Sequence, residues 1–247
     1  MLHKKQKSDE LNTRDSKKSD FWENLWCQNR FAAVEKPYLL YLFNKHFPAP
    51  NKLNILDIGC GAHNNCKSYF NDSDSTIVNF DISQIALNTL KKGTKNGCIP
   101  INSYCEFVQG TALSLPFADE MFDIIINTQC LHYFKDSEQK LAFKELRRVC
   151  KKGGYYIIAV KNLYAIQSIF FKMFLFKFLL FIPFYPFTYK QITEKLSKDT
   201  IVNLFGYIKI PLISSQAKIN KFLNKTFSKS KVSFFFSMDI IALAKKC

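Results

Sequence analysis

The stretch that decides the fold is Leu53-Asn54-Ile55-Leu56-Asp57-Ile58-Gly59-Cys60-Gly61-Ala62. Leu53 to Ile58 is an apolar run of strand length closed by glycine, so it reads as a buried strand ending in a tight turn. Glycines at 59 and 61 let the backbone turn and approach a ligand with no Cβ in the way. Asp81, twenty residues past Gly61, closes a second candidate strand, where a carboxylate can accept hydrogen bonds from both hydroxyls of a ribose. Strand, glycine loop and downstream acid together make a nucleoside-binding constellation.

Outward from this stretch, strand signals at 53–58, 76–80, 104–108, 122–127 and 154–160 alternate with helical ones, as in a parallel sheet with crossover helices. Ser83 caps a helix over 83–92. Asp136 with Gln139 resembles a capping box opening a helix that ends near Cys150, with Gly153 and Gly154 breaking it and starting the fifth strand. Upstream, Phe21, Leu25, Trp26, Val34, Leu39, Leu40 and Leu42 recur at helical spacing, with Pro37 breaking the run, and predict two helices ended by Pro48 and Pro50. Residues 1–19 are polar and read as a disordered leader. Downstream, Tyr189 to Leu204 reads as a helix, and 208–213 and 239–244 as strands.

Two details separate the loop from a dinucleotide site. Asn64 stands where the third fingerprint glycine would pack beside a pyrophosphate, and Asp57 lies two residues before Gly59. Asp57 has two readings: an acid that steadies the turn, or one that meets a ligand ammonium group.

Six segments now combine: ILDIGCGA (55–62), VNFDIS (78–83), Leu115-Pro116-Phe117, the Phe122-Asp123 pair, Leu131-His132 and ELRRVCKKGG (145–154). In this order over about 50–160 they resemble class I S-adenosylmethionine-dependent methyltransferases of the ubiquinone/menaquinone-biosynthesis-like (type 11) branch. The resemblance implies an α/β Rossmann-like fold: a seven-stranded, mostly parallel sheet with helices on both faces, an N-terminal helical lid and a hydrophobic insert after the fifth strand. It divides the domain, 20–247, into N-terminal helices (20–50), cofactor-binding core (51–160), acceptor-binding insert (161–190) and sheet completion (191–247). It implies S-adenosyl-L-methionine as cofactor, with Asp57, Gly59, Cys60 and Gly61 at the methionine part, Asp81 and Ile82 at the ribose, and Thr111 and Ala112 beside the adenine. Asn127, Thr128 and Gln129 would line the pocket after the fourth strand. His63 departs from the family's usual third loop glycine, and Thr111 from its usual acid, so the resemblance implies weakened cofactor affinity.

Methyl transfer needs alignment of the acceptor and exclusion of water more than a catalytic triad. Where the acceptor is a hydroxyl or an acidic carbon a general base helps, and the resemblance points to His132. A packing or capping histidine at a helix start is the other reading. Tyr133 is pocket wall or bystander. Trp22, Trp26 and Arg30 read as core or lid.

The charge is uneven. Residues 161–247 carry fourteen basic against three acidic residues, of a net +15 for the chain. Such a third faces a membrane surface, nucleic acid or an anionic substrate, or reflects a coding bias toward Lys, Asn, Ile and Phe. Within it, Ile169 to Phe187 holds eight of 25 Phe, broken by Lys172, Lys177 and two prolines. Two lysines and Pro183 argue against a spanning helix. An interfacial helix, a greasy lid or a core helix remain. Eight scattered cysteines without a CxxC pair, and a Lys-rich polar N-terminus, fit reduced thiols in a cytoplasmic chain, peripheral at a membrane through 169–187. No metal site is expected.

Three functions are open to such a chain. The leading one is methyl transfer to a hydrophobic or membrane-associated small molecule, such as a quinone or lipid. The second is an RNA (tRNA) methyltransferase, since the Leu131-His132 to Arg147 stretch loosely resembles wobble-uridine enzymes. The third is a cofactor-binding but non-catalytic partner subunit.

Overall fold

The computed structural model describes residues 19–27, 36–47, 52–63, 74–93, 104–165, 184–207 and 237–247. Among the described residues seven strands form one sheet in the order β3-β2-β1-β4-β5-β7-β6. The chain divides into two units, Met1–Pro116 and Phe117–Cys247.

The first unit holds helices α1 (19–27) and α2 (Pro37–His46), strands β1 (Asn54–Ile58) and β2 (Thr76–Asp81), helix α3 (Gln84–Gly93) and strand β3 (Tyr104–Gln109). β1 pairs with β2 and β2 with β3, both parallel. β1 and β2 are buried along nearly their whole length, because a parallel strand covered on both faces needs an unbroken apolar run. Each fully buried Leu or Ile there contributes about 1.5–3 kcal/mol. Pro37 begins α2 instead of only interrupting a run, since its fixed φ suits the first helical turn. Leu39, Leu42 and Phe43 form the buried stripe of α2. Ser83 caps α3 as expected: its hydroxyl accepts the Ala86 N–H at 3.1 Å. Leu87 and Leu90 of α3 pack with Cys60, and Phe107 of β3 closes that cluster.

The second unit holds β4 (Phe122–Thr128), a 3-10 turn (Leu131–Tyr133), α4 (Asp136–Val149), β5 (Cys150–Lys161), α5 (Tyr189–Lys195), β6 (Thr200–Tyr207) and β7 (Asp239–Lys245). β4 and β5 are parallel, while β7 runs antiparallel to both β5 and β6. α4 turns Gln139, Ala142, Leu146 and Val149 inward.

Three sequence expectations need correction here. The carboxylate that reaches back at the start of α4 is Glu138, which accepts the Lys135 N–H at 3.1 Å. Gln139 instead donates to the carbonyls of Phe134 and Tyr185. The fifth strand starts at Cys150, before the glycines, which lie inside it at an irregularity in the pairing with β4 between Phe122 and Ile124. Gly153 has φ +73°, and a Cβ on Gly154 would stand 2.8 Å from Cys150 Sγ, so both positions demand glycine.

The expected helix over 189–204 is the third correction. It stops at Lys195, and Thr200-Ile201-Val202 opens β6, because consecutive β-branched residues suit a pleated strand. The expected strand at 208–213 lies outside the described residues, as do residues 1–18 of the expected leader. Ser19, assigned to that leader, already lies in α1. The described cysteines are free thiols. Among the described residues no helix is long and apolar enough to cross a membrane.

Candidate cofactor site

In the first unit the glycine loop and Asp81 meet at the carboxyl ends of β1 and β2. Gly59 (φ +69°) donates its N–H to the Phe80 carbonyl at 2.7 Å, which folds the loop back over β2. Gly61 (φ +61°) then aims its N–H at Asp81 Oδ2, 2.8 Å away. Asp81 Oδ1 accepts the Ser83 N–H at 2.9 Å, so one carboxylate ties the loop to the start of α3. A carboxylate offers about four lone-pair sites. With the Gly61, Ser83 and Ile82 backbone groups on it, the carboxylate of Asp81, whose residue is 8% exposed, keeps acceptor capacity for a further donor. Burial pushes the Asp81 carboxyl up, against the pull of the Ser83, Gly61 and Ile82 backbone groups, and neighbouring Glu23 pushes the same way as burial.

Asp57 is fully buried in β1. Burial, then Asp81 and then Asp57, push the Cys60 thiol well above its ordinary range, and it donates to the Gly61 carbonyl at 3.4 Å. Cys60 is thus a packing residue of the loop, not a nucleophile.

After β3, Gly110 N–H bonds the Asp81 carbonyl at 3.0 Å. A Cβ on Gly110 would stand 2.7 Å from the Phe80 ring, so this glycine is required for close approach. The Thr111 hydroxyl accepts the Leu113 N–H at 3.3 Å, and Ala112 is buried behind it. Ile82 is half-buried, and its carbonyl receives Gln109 Nε2 at 3.1 Å.

Sequence reasoning missed Glu23 and Gly110 and left Trp26 as core or lid. Glu23 accepts the Gln84 N–H at 2.7 Å, the Ser83 hydroxyl at 2.7 Å and the Ile85 N–H at 3.1 Å. Trp26 lies on Gly61, where a Cβ would come within 2.7 Å of its ring, and His63 meets the same indole edge-on at 6.2 Å. His63, the departure from a third loop glycine, thus packs against a residue of α1. The nearest signal for these contacts is the i, i+4, i+7 spacing of Ser19, Glu23 and Trp26.

The remaining sequence-derived residues belong to the second unit. Asn127 and Thr128 are buried at the carboxyl end of β4, and Gln129 comes next with φ +63°, its N–H on the Ala159 carbonyl at 2.8 Å. A left-handed glutamine is strained, and such strain collects where a chain must aim a side chain or an N–H. His132 is 0% exposed. Its ring lies 4.3 Å from Tyr133 and 5.5 Å, edge-on, from Phe184, and neither nitrogen has a hydrogen-bond partner among the described residues. Burial, and then the Lys161 ammonium, hold its pKa well below the ordinary value, so the imidazole is neutral at pH 7. The segment after 183 is fastened over it: Tyr185 N–H bonds the His132 carbonyl at 2.6 Å. Burial pushes the Tyr133 phenol up to about 12.

With this geometry in place, the relatives of the chain become informative. Residues 56–158 match a family described as a methyltransferase domain. The phthiotriol/phenolphthiotriol dimycocerosates methyltransferase of Mycobacterium tuberculosis is 30% identical over 104 residues, covering 41% of this chain and 35% of that protein. The fatty-acid O-methyltransferase of Mycolicibacterium smegmatis is 30% identical over 105 residues, covering 42% of this chain and 35% of that protein. The chain thus spans about a third of the length of these curated relatives. The YcgJ protein of Bacillus subtilis shares the fold with a TM-score of 0.60 at 18% identity, over 85% of this chain and 99% of that one. Residues 56–158 thus resemble a methyltransferase domain, and the chain shares the fold of the YcgJ protein.

Proposed function

We propose that the chain transfers a methyl group from S-adenosylmethionine to a hydrophobic or membrane-associated small molecule, and that it belongs to the ubiquinone/menaquinone-like branch. The observation that carries the cofactor half is Asp81, whose carboxylate draws in the Gly61 and Ser83 N–H groups at the carboxyl end of β2 and keeps acceptor capacity for a further donor. That arrangement fits a pair of vicinal ribose hydroxyls. Gly59 and Gly61, both at positive φ, turn the loop that is assigned to the methionine part together with Asp57 and Cys60, and the Trp26 ring fills the space beside Gly61. Ile82, Thr111 and Ala112 flank the base, and Thr111, already engaged in its own turn, gives the adenine no charged acceptor. Asn127, Thr128 and Gln129 are assigned to the cofactor on the family resemblance. When bound, the cofactor supplies a methyl group on a sulfonium that needs no further activation.

Two observations support a hydrophobic acceptor: one of the mycobacterial relatives is named for methylating fatty acids, and residues 169–187 hold eight Phe with only two Lys. That segment is our assignment for acceptor binding and peripheral membrane contact; its structure lies outside the described residues up to 183. His132 is assigned as general base for a hydroxyl or acidic-carbon acceptor. Its neutral imidazole is the protonation state that role needs.

The test is calorimetric titration of S-adenosylmethionine and S-adenosylhomocysteine into the protein and into Asp81→Ala. Binding that the substitution weakens by about tenfold or more, the scale of one lost charged hydrogen bond, supports the site. Absence of heat at millimolar ligand overturns it. Bound protein is then screened with fatty acids, quinones and RNA, and turnover of RNA alone would move the acceptor to the second class.

A further inference from the structure

Ser19, Glu23 and Trp26 lie at i, i+4 and i+7 on α1, which places them on one helical face. Each lands on a different piece of the framework around Asp81. Ser19 Oγ donates to the Ile82 carbonyl at 3.3 Å, directly after the acid. Glu23 sits across the first turn of α3. Trp26 covers Gly61, whose N–H is bonded to Asp81.

The first turn of α3 shows how closely the two carboxylates are linked. A helix leaves its first N–H groups without intrahelical partners. Here Ser83 gives its N–H to Asp81, Gln84 and Ile85 give theirs to Glu23, and Ala86 gives its own to the Ser83 hydroxyl. Ser83 joins the two acids directly, through its N–H to Asp81 and its hydroxyl to Glu23. Without Glu23, two α3 donors and one hydroxyl lose their acceptor, and they lie within four residues of Asp81. The helix dipole favours negative charge at this end, which offsets part of the repulsion between Glu23 and Asp81.

We propose that α1 is a clasp of the cofactor site, in which Glu23 is the positioning residue that sets Asp81 through Ser83 and Trp26 is the wall over the glycine loop. This rests on the reading of Asp81 and Gly61 as cofactor residues. A ligand that fixes the loop and the acid also fixes the surface on which α1 docks. By linkage, docked α1 then tightens cofactor binding by the factor by which cofactor tightens docking.

The chain's two tryptophans, Trp22 and Trp26, both lie on α1, so indole emission reports this helix alone. In Trp22→Phe protein, which alters none of the three contact residues, S-adenosylhomocysteine should shift the Trp26 emission. The midpoint of that shift should match the dissociation constant from calorimetry. Glu23→Ala should raise that constant about tenfold, within the usual span of coupled sites, and speed ligand release in stopped flow. Glu23→Gln, which keeps one acceptor oxygen, should recover part of the loss. Calorimetric binding with a flat Trp26 signal overturns the clasp, as does Glu23→Ala with unchanged affinity and release rate. Wild-type protein that binds no S-adenosylhomocysteine overturns the cofactor reading, and the clasp with it.

Discussion

Replacing Gly61 by alanine tests the loop geometry and its cover at once. The residue has φ +61°, and an L side chain in that region costs about 1–2 kcal/mol. The new Cβ would stand 2.7 Å from Cζ2 and 3.0 Å from Cη2 of Trp26, well inside the ~3.5–4.0 Å optimum for carbon pairs. The indole must retreat by roughly 1 Å, and overpacking of that kind costs about 1–3 kcal/mol. Gly61→Ala should therefore destabilise the protein by about 2–5 kcal/mol in all. In a Trp26→Ala background the steric part vanishes and only the backbone part, about 1–2 kcal/mol, should remain. Urea unfolding of the four proteins, followed by circular dichroism, gives a coupling energy of about 1–3 kcal/mol between the two sites. A Gly61→Ala protein within about 0.5 kcal/mol of wild type, or an equal cost in both backgrounds, would refute the reasoning.

The second unit offers further tests. His132 has a folded pKa well below its unfolded value of about 6.5, so the unfolded chain binds more protons as pH falls; its contribution is present above pH 6.5 and lost below it. The urea midpoint of wild type should thus drop between pH 7 and pH 5 more than that of His132→Phe, and equal drops would remove the argument. If His132 is the base, His132→Asn lowers kcat by about a hundredfold or more with the fold intact; a change below about threefold would leave it a packing residue. Gly154→Ala places a Cβ 2.9 Å and 3.0 Å from the Lys151 and Asp123 carbonyls, and should cost about 1–3 kcal/mol by thermal melting. Arg147 pairs with the buried carboxylate of Asp199, whose pKa burial pushes up. Arg147→Ala should cost about 3 kcal/mol, with much of it recovered in the Arg147→Ala/Asp199→Asn double variant, and additive losses would show that the pair is not coupled.

The parallel part of the sheet is legible because its strands are continuous apolar runs, and Leu53 to Ile58 with two glycines after it admits few other readings. Asp81 is legible for the same reason: the strand before it is apolar and the acid ends it abruptly. Thr200-Ile201-Val202 reads as helix in sequence, because the pattern from Tyr189 onward has mixed periodicity and the β-branched triplet lies at its far end. The cap of α4 is displaced by one residue from its sequence signal, with Glu138 doing what Asp136 and Gln139 were expected to share. Glu23 is not legible at all. Its partners are about 60 residues away, and a glutamate on a tryptophan-bearing helix carries no local mark of the helix end it will occupy. Gly110 is hidden likewise, since only the position of Phe80 makes it necessary.

Backbone bonds fasten the end of β5 to Phe187. The Phe187 N–H bonds the Lys161 carbonyl at 2.9 Å, Leu163 N–H bonds the Phe187 carbonyl at 2.8 Å, and the Asn162 amide holds Ser237 from the other side. Leu163 and Phe187 are thus pinned to each other by backbone bonds. Closing entropy grows only slowly with loop length, by about 0.6 kcal/mol per doubling. A change of chain length between 166 and 183 therefore carries a small closure cost, provided Phe184 and Tyr185 keep their contacts with His132. The position behaves as a socket, at which a scaffold of this kind can be refitted by grafting without redesign of its core.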